Sequence, residues 1–350
     1  MRLHVISLPH TQVTDQFASC AFTQKVVRFC DMMTNAGHEV FLYAGSERGP
    51  QCQEHITCVD PELQRIALGG RHYTTYPFDA TDTLWRAFNG AAIAEMQKRV
   101  QPHDVVCLIG GHAQLSIAQA FPQNLSVEYG IGYSGTFAQF RVFESYAWMH
   151  MVYGAESGGA EKKDGHWFDD VIPNQFDDRH TLGPGGDYAL YVGRLIDRKG
   201  FHIAQTACQH AGVPLVLAGP GEARGSGYGE FVGEVGPARR VELMRNARCL
   251  LAPTQYIEPF GTVTVEAMAC GTPVVSTDWG AFTETVPAFA GFRCRMHREF
   301  VSALEQVQTL DRAKIRQHAE SRFSMPVVQA QYDRYFERLA TLWGKGWYAE

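Results

Sequence analysis

The sequence predicts an α/β protein made of two doubly wound domains with parallel sheets. Short apolar runs alternate with helix-period segments along the whole chain, the order of βαβ units joined by right-handed crossovers. The alternation breaks at Asp177–Gly186, a stretch rich in charge, Pro and Gly, and starts afresh at Tyr188. At 350 residues the chain is long enough for two separate cores. Two Rossmann-like domains facing each other are the expected architecture.

The first half opens with a strand from Leu3 to Leu8, a loop, and an apolar-periodic helix from about Phe22 to Asn35. Gly37-His38-Glu39 then turns the chain into the strand Val40 to Ala44. A helix around Asp82 to Arg99 leads into the strand Asp104 to Ile109, which stops at Gly110-Gly111-His112 and gives way to a helix through Ala120. Leu125-Ser126-Val127-Glu128 repeats the pattern, an aromatic segment runs on to Gly154, and Asp170 to Asn174 reads as the last strand with its exit turn.

The second half starts with the strand Tyr188 to Arg194, a helix from Gly200 to Ala211 and the strand Val213 to Ala218. Further strands are expected at Glu230 to Gly233, Arg248 to Ala252 and Pro273 to Thr277. From Met325 to Glu350 the chain reads as a helix with Tyr332, Tyr335, Phe336, Leu339, Leu342 and Trp343 on one stripe.

Composition bounds the function. With 45% apolar and 19% charged residues and a net charge of -6, the chain lacks the broad positive potential of a nonspecific nucleic-acid binder, so nucleic-acid binding would need a local basic patch. Nine scattered cysteines contain no CxxC pair, which argues for reduced core thiols over zinc ligands or disulfides. The start is too brief for a signal sequence and no run of about 18 apolar residues occurs, so a cytoplasmic location is expected.

The segment from Glu258 to Val275 carries the chemistry. Pro259 and Gly261 mark a turn, Thr262–Ala269 reads as a buried helix, and Gly271-Thr272-Pro273 ends it before the strand Val274-Val275-Ser276. Backbone N–H groups of Gly261, Thr262 and Val263 at the helix mouth, with the positive end of the helix dipole, suit a diphosphate. Glu266 sits one turn inside, in reach of a ribose hydroxyl, and Glu258 precedes the turn, in reach of a sugar. The rival reading is an ordinary strand-turn-helix-strand unit with two solvated glutamates. The segment resembles the E-x7-E signature of family 4 glycosyltransferases, including the Pro-Phe-Gly turn with Phe260 and the Ala-Met-Ala-Cys-Gly-Thr-Pro exit. That family is retaining and has the GT-B fold.

The resemblance extends to Gly193-Arg194-Leu195-Ile196-Asp197-Arg198-Lys199-Gly200, about sixty residues before Glu258. Alone, a Gly-Arg pair followed by Lys-Gly also describes a solvated helix start. In the family the corresponding cations bind the donor diphosphate, which implies that role for Arg194 and Lys199, with Arg198 the weaker candidate. Gly219-Pro220-Gly221-Glu222 resembles the family's loop near the nucleobase and equally fits a plain strand-to-helix turn. Tyr256-Ile257 fits either a place beside the donor or the core. His112, at the carboxyl end of a parallel strand, matches a family histidine that contacts the transferred sugar.

The first loop departs from the family: Ser19-Cys20-Ala21-Phe22 stands where a Gly-Gly pair approaches the donor phosphates, so that contact is in doubt. His10, in the same loop, fits a base or acceptor ligand and also a structural histidine. The rings between Glu128 and Gly154 (Tyr129, Tyr133, Phe137, Phe140, Phe143, Tyr146, Trp148, Tyr153) form either an acceptor cleft or a core, with Glu128, Arg141, Glu144 and His150 among them.

The resemblance implies a GT-B protein with an N-terminal acceptor-binding domain over 1–176 plus about 328–350, the C-terminal helix crossing back to it, and a nucleotide-sugar domain over 177–327. An Ile-Pro-Asn element like Ile172-Pro173-Asn174 precedes the family's linker. The implied reaction moves a hexose from a nucleoside diphosphate sugar, UDP-glucose by default, to an acceptor hydroxyl with retention. No cofactor and no metal is expected: Asp-x-Asp is absent, so Arg194, Lys199 and the helix mouth supply the counter-charge. The acceptor is a small molecule, glycan, lipid headgroup or modified DNA base. The last follows because Leu8-Pro9-His10-Thr11-Gln12 with Cys20-Ala21-Phe22-Thr23-Gln24-Lys25 resembles family-4-like proteins of tailed phages, which would place the enzyme in host cytoplasm. Rivals from other classes are a sugar-nucleotide epimerase and a catalytically silent nucleotide-sugar-binding module.

Overall fold

The structure is a computed structural model that describes residues 1–344 apart from 160, 162 and 223. The chain divides into two compact units, one of Met1–Glu144, Val152–Ile172 and Gln329–Glu350, the other of Ser145–Met151 and Pro173–Val328.

The first unit is built on seven parallel strands: β1 (Arg2–Ile6), β2 (Glu39–Ala44), β3 (Glu54–Thr57), β4 (Val105–Leu108), β5 (Leu125–Ile131), β6 (Phe140–Phe143) and β7 (Asp170–Val171). Their order is β3-β2-β1-β4-β5-β6-β7. Val5 of β1 pairs with Leu42 on one side and with Cys107 on the other. The order reverses between β1 and β4, so the loops leaving those two strands diverge and open a crevice at their carboxyl ends.

Helices α1 (Ala21–Asn35), α2 (Pro61–Leu68), α3 (Thr83–Met96), α4 (Leu115–Ala120) and α5 (Tyr146–Glu156) follow in chain order. Asp60 and Asp82 cap α2 and α3 by accepting from two backbone N–H groups each, which satisfies donors that the helix cannot. The sequence reading passed over α2, although Asp60-Pro61 is a helix-start signal, and over β3, β6 and α5. Edge strand β3 is only partly buried, and β6 and α5 lie in the aromatic segment.

The second unit has six parallel strands: β8 (Ala189–Val192), β9 (Leu215–Ala218), β10 (Glu230–Phe231), β11 (Cys249–Ala252), β12 (Val274–Thr277) and β13 (Gly291–Cys294), in the order β10-β9-β8-β11-β12-β13. Its switch point lies between β8 and β11. Helices α6 (Phe201–Ala211), α7 (Pro237–Arg245), α8 (Thr262–Ala269), α9 (Phe282–Thr285), α10 (His297–Gln306) and α11 (Arg312–Phe323) cover the sheet. Two apolar clusters form the core, one around Leu250, Val265, Met268 and Phe323, the other around Tyr191, Leu217, Leu251 and Leu304.

The last helix, α12 (Met325–Gly344), belongs to the first unit from Gln329 onward. Its stripe explains why: Tyr332 meets Phe29 of α1 edge-on at 5.2 Å, and Tyr335, Phe336 and Leu339 are buried. Trp343 stacks on His103 at 5.0 Å. The part of the expected helix beyond Gly344 lies outside the described residues. Among the described residues no helix is long and apolar enough to cross a membrane.

Candidate donor site

The site in the second unit is assembled from three loops at the carboxyl ends of β8, β9 and β11. After β8 the chain turns through Gly193-Arg194, and the Tyr191 hydroxyl donates to the Arg194 carbonyl at 2.9 Å. Leu195 forms a parallel bridge with Gly221, which lays the Gly219–Glu222 loop alongside. That approach needs glycine: a Cβ at Gly219, whose φ is +139°, would stand 2.1 Å from the Gly193 carbonyl oxygen. Arg194 is exposed. Glu222, also exposed, pairs with Arg224 at 2.6 Å.

Lys199 closes a single helical turn at Asp197–Lys199. Its ammonium donates to Glu258 Oε2 at 2.7 Å. Burial pushes the lysine pKa down, but the negative charge of Glu258 and the hydrogen bond that Lys199 donates to it outweigh this, leaving the group above its ordinary range. Glu258 is 8% exposed, and its carbonyl accepts from Ala281 N–H at 3.1 Å.

The helix mouth predicted from Pro259 and Gly261 is present, with α8 beginning at Thr262. Gly261 adopts φ +76°, and a Cβ there would meet Phe282 Cε1 at 2.6 Å. Among the described residues the backbone N–H groups of Gly261, Thr262 and Val263 make no intramolecular hydrogen bond, and all three residues are half-buried. They form a cradle for an anion. Phe260 departs from its neighbours: at 1% exposure it packs edge-on to Phe323 in the core, so only its backbone is left for a ligand.

Glu266 points into the interior at 2% exposure, with Arg240 Nε at 3.6 Å and His180 Nε2 at 4.0 Å from Oε2. It is not the solvated glutamate of the rival reading. His180 and Arg240 were not anticipated, because nothing in their local sequence distinguishes them from surface cations. Two other ties were missed: Ser145 Oγ donates to the Pro259 carbonyl at 2.6 Å, and Glu284 accepts from the Tyr146 and Ala147 N–H groups.

In the first unit, His112 lies exposed on a short turn after β4, beside the crevice, with its N–H donating to Gly135 O at 3.0 Å. Ser19-Cys20-Ala21 becomes the start of α1, Cys20 being a buried cap residue. Lys25 of α1 is occupied by Glu144 and the Gly130 carbonyl. His10 is structural: 1% exposed and stacked on Tyr76 at 5.2 Å, with its pKa lowered by burial to about 4.

The aromatic segment divides. Tyr129, Phe140 and Phe143 are core, Phe137 and Tyr153 are half-buried, and Tyr146 is exposed. Glu128 is buried and accepts from the Phe137 and Ala138 N–H groups and the Tyr133 hydroxyl. Arg141 is locked between Glu156 and Asp169. Both are buried and tied into the scaffold of the first unit. Among the described residues no three His, Cys, Asp or Glu side chains converge as a metal site would require.

Residues 174–321 match the family of glycosyl transferases group 1. The match covers nearly all of the second unit, including every donor-site loop described above. Among curated proteins, glycogen synthase of Mycobacterium tuberculosis is 35% identical over 113 residues, 28% of this chain and 27% of that one. Phosphatidyl-myo-inositol mannosyltransferase of Mycobacterium leprae is 32% identical over 181 residues, 45% of this chain and 48% of that one. The chain thus spans between about a quarter and a half of the length of the curated relatives it matches.

Over the full length the likeness is one of fold. AviGT4, a glycosyltransferase involved in avilamycin A biosynthesis, aligns with a TM-score of 0.69 at 20% identity, covering 97% of this chain and 98% of that one. HepE of Anabaena in complex with UDP-glucose aligns at 0.65 and 17% identity over 98% and 100%. The chain has the GT-B fold of these glycosyltransferases.

Proposed function

We propose that this protein is a retaining glycosyltransferase that moves a hexose from a nucleoside diphosphate sugar, UDP-glucose first, to an acceptor hydroxyl without a metal. The observation that carries the reading is the Lys199–Glu258 pair beside the open mouth of α8, inside the segment matched by the group 1 family. In this reading the diphosphate sits on the N–H groups of Gly261, Thr262 and Val263, neutralised by Lys199 and by Arg194, which is free to swing from its exposed position. Glu258 takes the sugar hydroxyls and Glu266 the ribose. The Gly219–Glu222 loop faces the base through its backbone. His112 is assigned to the transferred sugar.

No carboxylate is set as a covalent nucleophile, so retention proceeds on the front face: the leaving phosphate oxygen assists the acceptor's deprotonation while Lys199 and the helix mouth hold the departing charge. HepE, whose complexes contain UDP-glucose, supports UDP-glucose as the first donor to try. For the acceptor a small molecule, glycan or lipid headgroup is the first class, and a hydroxylated base in phage DNA the alternative.

A thermal-shift screen of nucleotide sugars, followed by released-nucleotide assays with candidate acceptors, tests the reading. A donor-dependent shift with acceptor-dependent nucleotide release is the expected result, and EDTA leaves the rate unchanged. Conversion of a nucleotide sugar without any acceptor would instead make the protein an epimerase, and loss of activity in EDTA with rescue by Mn²⁺ would overturn the metal-free mechanism.

A further inference from the structure

Beside the stripe that packs on α1, helix α12 carries a second row, Gln331, Arg334, Tyr335, Arg338 and Leu342, at the three- and four-residue spacing of one helix face. That row borders two cavities at the outer edge of the first unit's sheet, where β7 is the last strand. The smaller, about 360 Å³, lies between the helix and Asp170 and Ile172. The larger, about 550 Å³, is walled by Phe140, His166, Trp167, Phe168 and Leu342. They meet at Arg338, which lines the first and whose guanidinium sits 5.7 Å from the ring centroid of Phe168, a wall of the second.

The two cavities differ in chemistry. In the smaller, Arg338 donates to Asp170 Oδ2 at 3.0 Å. Arg334, one turn earlier, is exposed and forms no ion pair among the described residues, so one of the two positive charges is left without a carboxylate. Tyr335 lines the same cavity at 1% exposure, and its hydroxyl has no hydrogen-bond partner among the described residues. A buried hydroxyl is normally satisfied, so this one calls for an acceptor. The larger cavity is aromatic: Phe168 packs edge-on to buried Phe140 at 5.6 Å, and Trp167, a residue type that is mostly buried, is 80% exposed.

We propose that this groove binds one anionic amphiphile, a phosphate monoester with an apolar tail. Arg334, Arg338 and the Tyr335 hydroxyl hold the phosphate, and the tail lies against Trp167, Phe168 and Leu342. Charge complementarity sets the head: two guanidinium forks one helical turn apart donate to different oxygens of one phosphate, and such charge-assisted bonds are the strong ones. Both cavities have the size of small-molecule sites. The groove is separate from the crevice beside His112, because β5 and β6 stand between β4 and β7, so the proposal does not depend on the donor reading.

The deciding experiment is titration of the full chain with octyl phosphate, below the concentration at which it forms micelles, followed by tryptophan emission and by calorimetry. One molecule should bind per chain with a blue shift that Trp167→Phe no longer shows, while calorimetry still records binding to that variant. Inorganic phosphate and octanol, each with half of the chemistry, should bind at least about 10-fold more weakly. Arg334→Gln, which breaks no ion pair among the described residues, should weaken octyl phosphate about 10-fold or more. Tyr335→Phe keeps the ring and should weaken it about 3- to 10-fold. Equal affinity for octanol overturns the proposal, as does Arg334→Gln binding as tightly as the wild type. An emission shift on anionic phospholipid vesicles without one-to-one binding of octyl phosphate would make the face a membrane contact and overturn it too.

Discussion

Lys199 Nζ donates to Glu258 Oε2 over 2.7 Å across a sequence separation of 59 residues. The two side chains are only 23% and 10% exposed, so solvent screens them weakly and the pair is stronger than one on the open surface. Two groups that the proposed mechanism gives to different parts of one donor are therefore already within bonding distance. Lys199→Ala removes the charge that the leaving diphosphate meets and strands the carboxylate. Transfer should fall about 100-fold, the equivalent of about 3 kcal/mol. Steady-state turnover at saturating donor checks this, and near-normal turnover would remove Lys199 from the mechanism.

Glu258 and Glu266 should fail in different ways. Glu258→Gln should damage turnover while nucleoside diphosphate affinity holds or tightens slightly, because Lys199 loses its resident counter-ion. Glu266→Ala should weaken the free nucleotide about 10- to 100-fold through the lost ribose contact. It should also lower the melting temperature, since Arg240 at 3.6 Å loses a buried carboxylate. Calorimetry with UDP separates the two. The placement is wrong if Glu258→Gln loses affinity and Glu266→Ala keeps it.

These distinctions mark where the sequence stopped being legible. The boundaries of α8 were readable because Pro259, Gly261 and Gly271 punctuate an otherwise apolar run. The alternation of strands and helices gave both sheets for the same kind of reason. Partners contributed from distant elements were not readable. No local signal connects Glu266 with Arg240 of α7 and with His180, or places Gln255 on the Asp197–Arg198 backbone. The aromatic segment was ambiguous because a ring's sequence neighbours are the same in a core and in a cleft. Only burial distinguishes Phe143 from Tyr146.

Gly261→Ala tests the helix mouth through geometry alone. At φ +76° an L-residue is strained, and its Cβ would lie 2.6 Å from Phe282 Cε1. The change should cost about 1–3 kcal/mol of stability and should also weaken UDP, because relief of the clash tilts the Gly261–Val263 N–H groups. Denaturant melts and calorimetry on the same preparation check both effects. A loss of stability with unchanged UDP affinity would detach the helix mouth from the diphosphate.

The last prediction concerns pH and the first unit. His10 is held between Tyr76, Phe78 and Trp85, and burial lowers its pKa from 6.5 to about 4, with Asp82 pulling weakly the other way. Between those two values the unfolded chain binds a proton that the folded chain refuses, so stability rises with pH across this window and is level above it. The penalty on acidification should reach about 3 kcal/mol near pH 4. His10→Phe keeps a ring against Tyr76 and abolishes the titration. Urea melts of both proteins across the window should therefore show the wild type losing stability relative to the variant as pH falls. A wild type whose stability relative to His10→Phe does not change with pH would mean that His10 takes up its proton in the folded state, and that the ring cage around it opens more readily than the packing implies.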